Sequence, residues 1–182
     1  KRLKWNRIGI ALSSFYLLIT VGLKLYVDGV FETALSQKGY EYSRFDSRPT
    51  PLNAILWTSN IELEGSFLIT YYSIFDANKN LEFFEFQKNE YLLNPYRNDP
   101  KIEKLIQLTK GFYTIEKTPD GIAMNDLRFG LTEGFDQGKG DFVFTYLITK
   151  QNGKLLVEQK RQSFKGMDDV MLNLWNRIKG VG

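Results

Sequence analysis

Three short segments concentrate the residue types that can bind or polarise a substrate: 48–57 (RPTPLNAILW), 71–76 (YYSIFD) and 126–130 (DLRFG). In the third, Asp126 and Arg128 are two apart on an expected strand, so they share one face while Leu127 and Phe129 take the other. Such a pair can grip a polar ligand, or it can be a strand-surface ion pair worth less than about 1 kcal/mol. In the first, Asn53 and Trp57 follow a rigid Pro-Thr-Pro step. They either fix one edge of a ligand site or belong to a stiffened descent into a sheet, with Trp57 in its core. Tyr71 and Tyr72 point to opposite faces of one strand, so at most one is core and the other covers or lines something. Arg48, Asn53, Trp57, Tyr72, Asp126 and Arg128 are therefore the candidate binding residues.

Other chemistries find little support. The chain has no His and no Cys, which removes the commonest metal ligand, the commonest general base, disulfides and thiol catalysis. Glu82, Glu85, Asp168 and Asp169 lack the spacing of a Mg²⁺ or Ca²⁺ loop, so no cofactor is expected on these residues. No Gly-x-Ser-x-Gly elbow is present to expose a nucleophile. The Gly-rich loop 134–141 (GFDQGKGD) lacks the strand-to-helix setting and the GK[ST] ending of a phosphate cradle. A net charge of +3 with dispersed basic residues does not indicate nucleic-acid binding. Residues 1–182 taken alone read as non-catalytic.

The elements that must position the candidates begin with a hydrophobic helix. Residues 8–23 carry no charge, and Leu25, Tyr26 and Val27 extend the run beyond Lys24. At 1.5 Å per residue, residues 5–27 reach about 34 Å, enough for a hydrocarbon core of roughly 30 Å. Trp5 and Tyr26 flank the run, where amphipathic rings favour the interface, and Lys24 can extend its ammonium to headgroup level. A spanning helix fits better than a buried core helix or a signal peptide, since no Ala-x-Ala-like site follows and the chain lacks an initiator Met, which suggests that the natural protein begins upstream. Lys1, Arg2, Lys4 and Arg7 crowd one end without an acid among them, which puts the N-terminus in the cytoplasm and the remainder outside. Val27, Phe31, Ala34 and Leu35 carry the helical spacing on to about residue 38, and Gly39 is a natural stop.

Residues 39–182 read as one extramembrane domain. Aromatics at 15% suit packed sheet faces better than a helical bundle. Strands are expected at 55–61, 66–75, 81–86, 112–117, 122–129, 142–150 and 154–159, with Pro49 and Pro51 holding the preceding stretch out of regular pairing. Asn152-Gly153 marks a tight hairpin. Asp99-Pro100 opens a short helix that Gly111 ends. A last helix at 167–179 gathers Val170, Met171, Leu174, Trp175 and Ile178 on one stripe. The expected class is α+β: a transmembrane helix with its extension (1–38), then a mostly antiparallel sheet domain of about seven strands with one inserted and one C-terminal helix.

Taken together, Pro49 to Asn53 with Trp57; Tyr71, Tyr72, Ser73 and Asp76; Gly111 to Tyr113; and Asp126 to Gly130 resemble the C-terminal part of the membrane-bound, metal-dependent hydrolase family, the YdjM-like bacterial inner-membrane proteins. The resemblance covers most of residues 1–150. It implies that these residues are the last span and an extramembrane domain, with a divalent metal held by His and acidic residues of upstream transmembrane helices of the same protein. With no His here, no metal ligand carries over to any residue of this chain. Two functions then stand side by side. In one, the domain caps a membrane-embedded hydrolase, and Arg48, Asn53, Trp57, Asp126 and Arg128 cluster in one concavity on the helix side of the sheet to hold an anionic, lipid-like substrate. In the other, it is a non-catalytic envelope module that stabilises the protein or binds a partner, and those side chains are scattered or packed in the core.

Overall fold

The computed structural model describes residues 2–51, 53–132, 140–151, 153–160 and 167–180. The apolar run and its amphipathic continuation form one unbroken helix, α1 (Arg2–Gln37), with no proline to interrupt it. Its end is a Schellman close. Gly39, at φ 69°, supplies the left-handed residue, its N–H reaches the Ser36 carbonyl, and the Tyr40 N–H reaches that of Leu35. Tyr40 then packs against the cluster of Leu35, Ile61 and Leu68.

Two four-stranded antiparallel meanders follow. The first runs β1 (Arg44–Pro49), β2 (Leu56–Glu62), β3 (Ser66–Ser73) and β4 (Phe84–Gln87), and the second β5 (Tyr113–Thr118), β6 (Gly121–Leu131), β7 (Phe142–Gln151) and β8 (Lys154–Gln159), each in chain order. A 3₁₀ turn (Glu90–Leu93) and α2 (Pro100–Leu108) connect the sheets, and α3 (Met167–Ile178) closes the chain. The class is α+β, as the pattern predicts, with eight strands where seven are expected. The additional strand is β1. Its prolines do not exclude it, because β1 lies on the sheet edge with Pro49 as its last residue, where a missing N–H is tolerated. The strand expected at 81–86 starts later, since Leu81 and Phe83 pack toward α1. Asp99 caps α2 by accepting from the Lys101 N–H at 2.9 Å. Gly153 turns the β7–β8 hairpin at φ 76°, while Asn152 and residues 134–139 of the Gly-rich loop lie outside the described residues.

The first sheet is covered on both faces. On one, Val27, Phe31 and Ala34 of α1 meet Trp57 and Tyr72, and Leu35 meets Ile61 and Leu68. On the other, Leu56, Phe67, Ile69 and Tyr71 join Phe112, Leu127, Leu131 and Phe142, with Ile178 of α3. A third cluster sets Leu93, Ile102 and Leu105 over Ile115, Met124 and Ile148 of the second sheet. Tyr71 and Tyr72 do take opposite faces, yet both are core, because each face has its own cover. Of the stripe expected on α3, Leu174 and Ile178 reach the core, whereas Met171 and Trp175 stand exposed; the Val170 side chain lies outside the described residues.

The first part of α1 stands clear of the body: its apolar side chains from Leu3 to Val21 are exposed, Trp5 by 72% and Leu18 by 70%. Leu23 then packs at the edge of the core, and Tyr26 meets Tyr72. It is long and apolar enough to cross a membrane. Lys24 marks the transition: its ammonium lies 2.8 Å from Asp28 Oδ1 and donates to Ser47 Oγ at 2.6 Å, tying the helix to the end of β1.

Candidate functional site

β6 breaks register between Asp126 and Leu131, and Gly130 takes a left-handed φ of 71° within the break. This bulge lets Arg128 fold back on Asp126. Arg128 Nε donates to Asp126 Oδ1 at 3.0 Å and Nη2 to Oδ2 at 2.7 Å, while the Arg128 backbone N–H adds a third bond to Oδ1 at 3.0 Å. The expected pairing is present, but not at a strand surface: the side chain of Asp126 is 1% exposed and that of Arg128 17%. Hydrogen bonding to that carboxylate raises the Arg128 pKa above its ordinary value, against the opposing effect of burial. Burial, with Asp126 nearby, raises that of Tyr146.

Arg48 reaches the bulge from the other sheet. Ser47 faces α1, so Arg48 takes the opposite face of β1. Its Nη1 donates to the Arg128 carbonyl at 2.5 Å, and its Nη2 lies 2.7 Å from Asp46 Oδ2. Its Nε is buried without a hydrogen-bond partner. Burial lowers the Arg48 pKa most, Asp46 opposes this, and the second guanidinium adds to the lowering. Two fixed cations thus stand together, each with its own carboxylate. Such an arrangement can orient an anion through spare N–H groups; it supplies no nucleophile and no base.

The other candidates sit elsewhere. Asn53 closes the β1–β2 turn: its Oδ1 accepts from the N–H groups of Ile55 (2.9 Å) and Leu56 (2.7 Å), and its Nδ2 donates to Thr50 Oγ1 (2.7 Å). Trp57 donates from Nε1 to the Ala54 carbonyl at 3.1 Å and packs under α1. The Tyr72 hydroxyl lies 3.2 Å from that of Tyr26, and burial followed by this contact raises its pKa. Arg48, Asp126 and Arg128 therefore converge between the sheets, Trp57 and Tyr72 lie across the first sheet on the helix side, and Asn53 is fully used by the turn. The six do not share one concavity.

A polar cluster that the sequence pattern does not signal secures α3. Arg177 forms a two-point ion pair with Asp76, Nη1 to Oδ1 at 2.5 Å and Nη2 to Oδ2 at 2.8 Å, and its Nη2 also reaches the Tyr71 carbonyl at 3.2 Å. Ser73 Oγ donates to the Ile178 carbonyl at 2.6 Å. Ser73 and Asp76 belong to the 71–76 segment, and a basic residue in the last helical turn was the available signal for their partner. At the opposite end of the first sheet, Glu62 bridges Arg44 (2.5 Å) and Lys88 (2.8 Å). Beside it lies an open depression of about 370 Å³ lined by Glu64, Gly65, Gln87, Lys88, Asn89 and Tyr91, where the lysine is already engaged.

Among the described residues, no group of three or more Asp or Glu side chains could hold a metal ion. No protein-family model, no curated protein and no solved structure matches the chain.

Proposed function

We propose that this chain is a membrane-anchored domain, held at the bilayer surface by the first part of α1, with its N-terminus cytoplasmic and its two-sheet body on the outer side of the inner membrane. The observation that carries this reading is the change of environment along one helix: apolar residues through Val21 are exposed, Leu23 and Tyr26 make the first contacts with the body, and Val27, Val30, Phe31, Ala34 and Leu35 are core. The basic residues at positions 1, 2, 4 and 7 support the orientation. Following the resemblance, the body serves a metal-dependent hydrolase whose metal and ligands belong to upstream membrane helices of the same protein. Membrane lipid and those helices are its partners; the substrate is anionic and lipid-like, and Arg48 and Arg128 orient it. Support comes from the meeting of two separate motifs in space, since Arg48 of the proline segment donates to the carbonyl of Arg128.

The second reading, a non-catalytic envelope module, is favoured by the prior engagement of these groups: each arginine has its own carboxylate and Asn53 is spent on its turn. Metal analysis and a lipid and phosphoester hydrolysis screen on the full-length protein separate the two. With Arg48→Ala or Arg128→Ala, the hydrolase reading expects retained metal and a KM raised about tenfold or more, the loss of a charge-assisted contact to substrate. Unchanged kinetics in both variants would leave the envelope module. Turnover by residues 40–182 alone would overturn the assignment of the chemistry to the membrane helices.

A further inference from the structure

The end of the body from which α1 departs carries a second apolar surface. Contacts of Lys24 with Ser47 and of Tyr26 with Tyr72 place that departure at the end of the first sheet where β1 and β3 finish. Beyond β3 the chain makes an exposed loop, in which Phe75 is 61% exposed and the Lys79 ammonium lies 5.0 Å from the centroid of the Tyr26 ring. The C-terminal turn of α3 is fixed to the same loop by the Arg177–Asp76 pair and by the bond between Ser73 and the Ile178 carbonyl. Gly180, at φ 74°, lies so close that a Cβ would meet the Phe75 carbonyl oxygen at 2.6 Å.

α3 docks through Leu174 and Ile178, but its outward side is not polar. Leu172 is 56% exposed and Trp175 53%, with the Lys179 ammonium 5.0 Å from the Trp175 ring. Among the described residues, eight large apolar side chains are exposed outside α1; Phe75, Met171, Leu172 and Trp175 are half of them, on two elements joined at this one end. An aromatic and aliphatic surface edged by lysines, beside the point where a membrane-length helix leaves the fold, matches the chemistry of an anionic bilayer interface. We infer that the loop at 74–80 and the outer face of α3 form a second, interfacial contact with the bilayer that α1 enters, pressing this end of the body onto phospholipid headgroups. This rests on the reading of α1 as a spanning helix.

The chain's lack of cysteine makes single-site labels unambiguous. Phe75→Cys, Leu172→Cys, Leu108→Cys and Leu18→Cys, each carrying an environment-sensitive fluorophore, are to be compared in the full chain in nanodiscs of phosphatidylcholine with phosphatidylglycerol. Labels at 75 and 172 are expected to shift to the blue and to be quenched by shallow spin-labelled lipid about twofold or more over the label at 108, whose residue is exposed on α2. The double change Lys79→Glu and Lys179→Glu is expected to reduce that quenching on the anionic bilayer. A deeply buried label at 18 with labels at 75 and 172 as wet as that at 108 would overturn the interfacial contact and leave the anchor. A wet label at 18 would overturn the anchor and this inference together.

Discussion

The two parts of α1 are made of similar residues and meet opposite fates. Leu3, Trp5, Phe15 and Leu18 are exposed, whereas Val27, Phe31 and Leu35 are 0% exposed, although one continuous helix carries them all. What differs is the distribution around the axis. In the first part Leu, Ile, Phe and Tyr surround the helix, so no single protein face could cover them, and an apolar solvent is the natural complement. In the second part Glu32, Thr33 and Gln37 fill the outer side and leave a stripe the width of one sheet face. Apolar content sets how strongly a helix avoids water; its angular spread sets whether lipid or protein relieves it.

The sharpest way to break this comparison is a matched pair of truncations. Phe31→Ala removes a fully buried ring from between α1 and the first sheet and should cost about 3–5 kcal/mol of body stability. Phe15→Ala removes a ring with no protein partner and should stay within about 0.5 kcal/mol. Urea unfolding in detergent micelles, followed by near-UV circular dichroism, reads both. Equal losses would mean that the first part of α1 also packs on protein.

The next effect tests the end of the body beside that transition. Arg177→Ala strands Asp76, whose side chain is 14% exposed, and should cost about 2–4 kcal/mol. Gly180→Ala meets both a left-handed backbone and the Phe75 carbonyl, and a loss of about 1–3 kcal/mol is expected by the same measurement. If neither variant destabilises the body, α3 is not held against β3 as described.

Much of this was legible in the chain. The two regimes of α1 follow from period and charge, the Schellman close from Gly39, and the N-cap of α2 from Asp99, whereas the first left-handed residue after α2 is Lys110, one before the expected Gly111. β1 was not, because its prolines argue against pairing unless the strand is known to be an edge, and edge position is a property of the assembled sheet. The fate of Tyr72 was also hidden: period 2 assigns it a face but cannot say that α1 returns to cover that face. Within the candidate site, the pairing of Asp126 with Arg128 was readable from spacing, while its burial and the arrival of Arg48 depend on contacts some 80 residues apart in the chain. Arg177 was missed for the same reason, its carboxylate lying 101 residues away.

The smallest effect concerns the two faces of β3 and appears only in alkali. Burial pushes Tyr71 up to about 12, and burial with the Tyr26 contact raises Tyr72 as well. A tyrosine whose folded pKa lies above its unfolded value of about 10 holds its proton more tightly in the native state. Its contribution is therefore complete below about pH 10 and is lost as pH rises toward 12. Absorbance at the phenolate band should show Tyr71 ionising late, coincident with unfolding. Tyr71→Phe should remove part of the late step while changing stability at neutral pH by about 1 kcal/mol. Phe31→Ala offers the finer discrimination, since it opens only the α1 face: the Tyr72 step should move to lower pH while the Tyr71 step stays. If both steps moved together, the first sheet would not separate two independent cores, and the second part of α1 would be no more than an extension of the first.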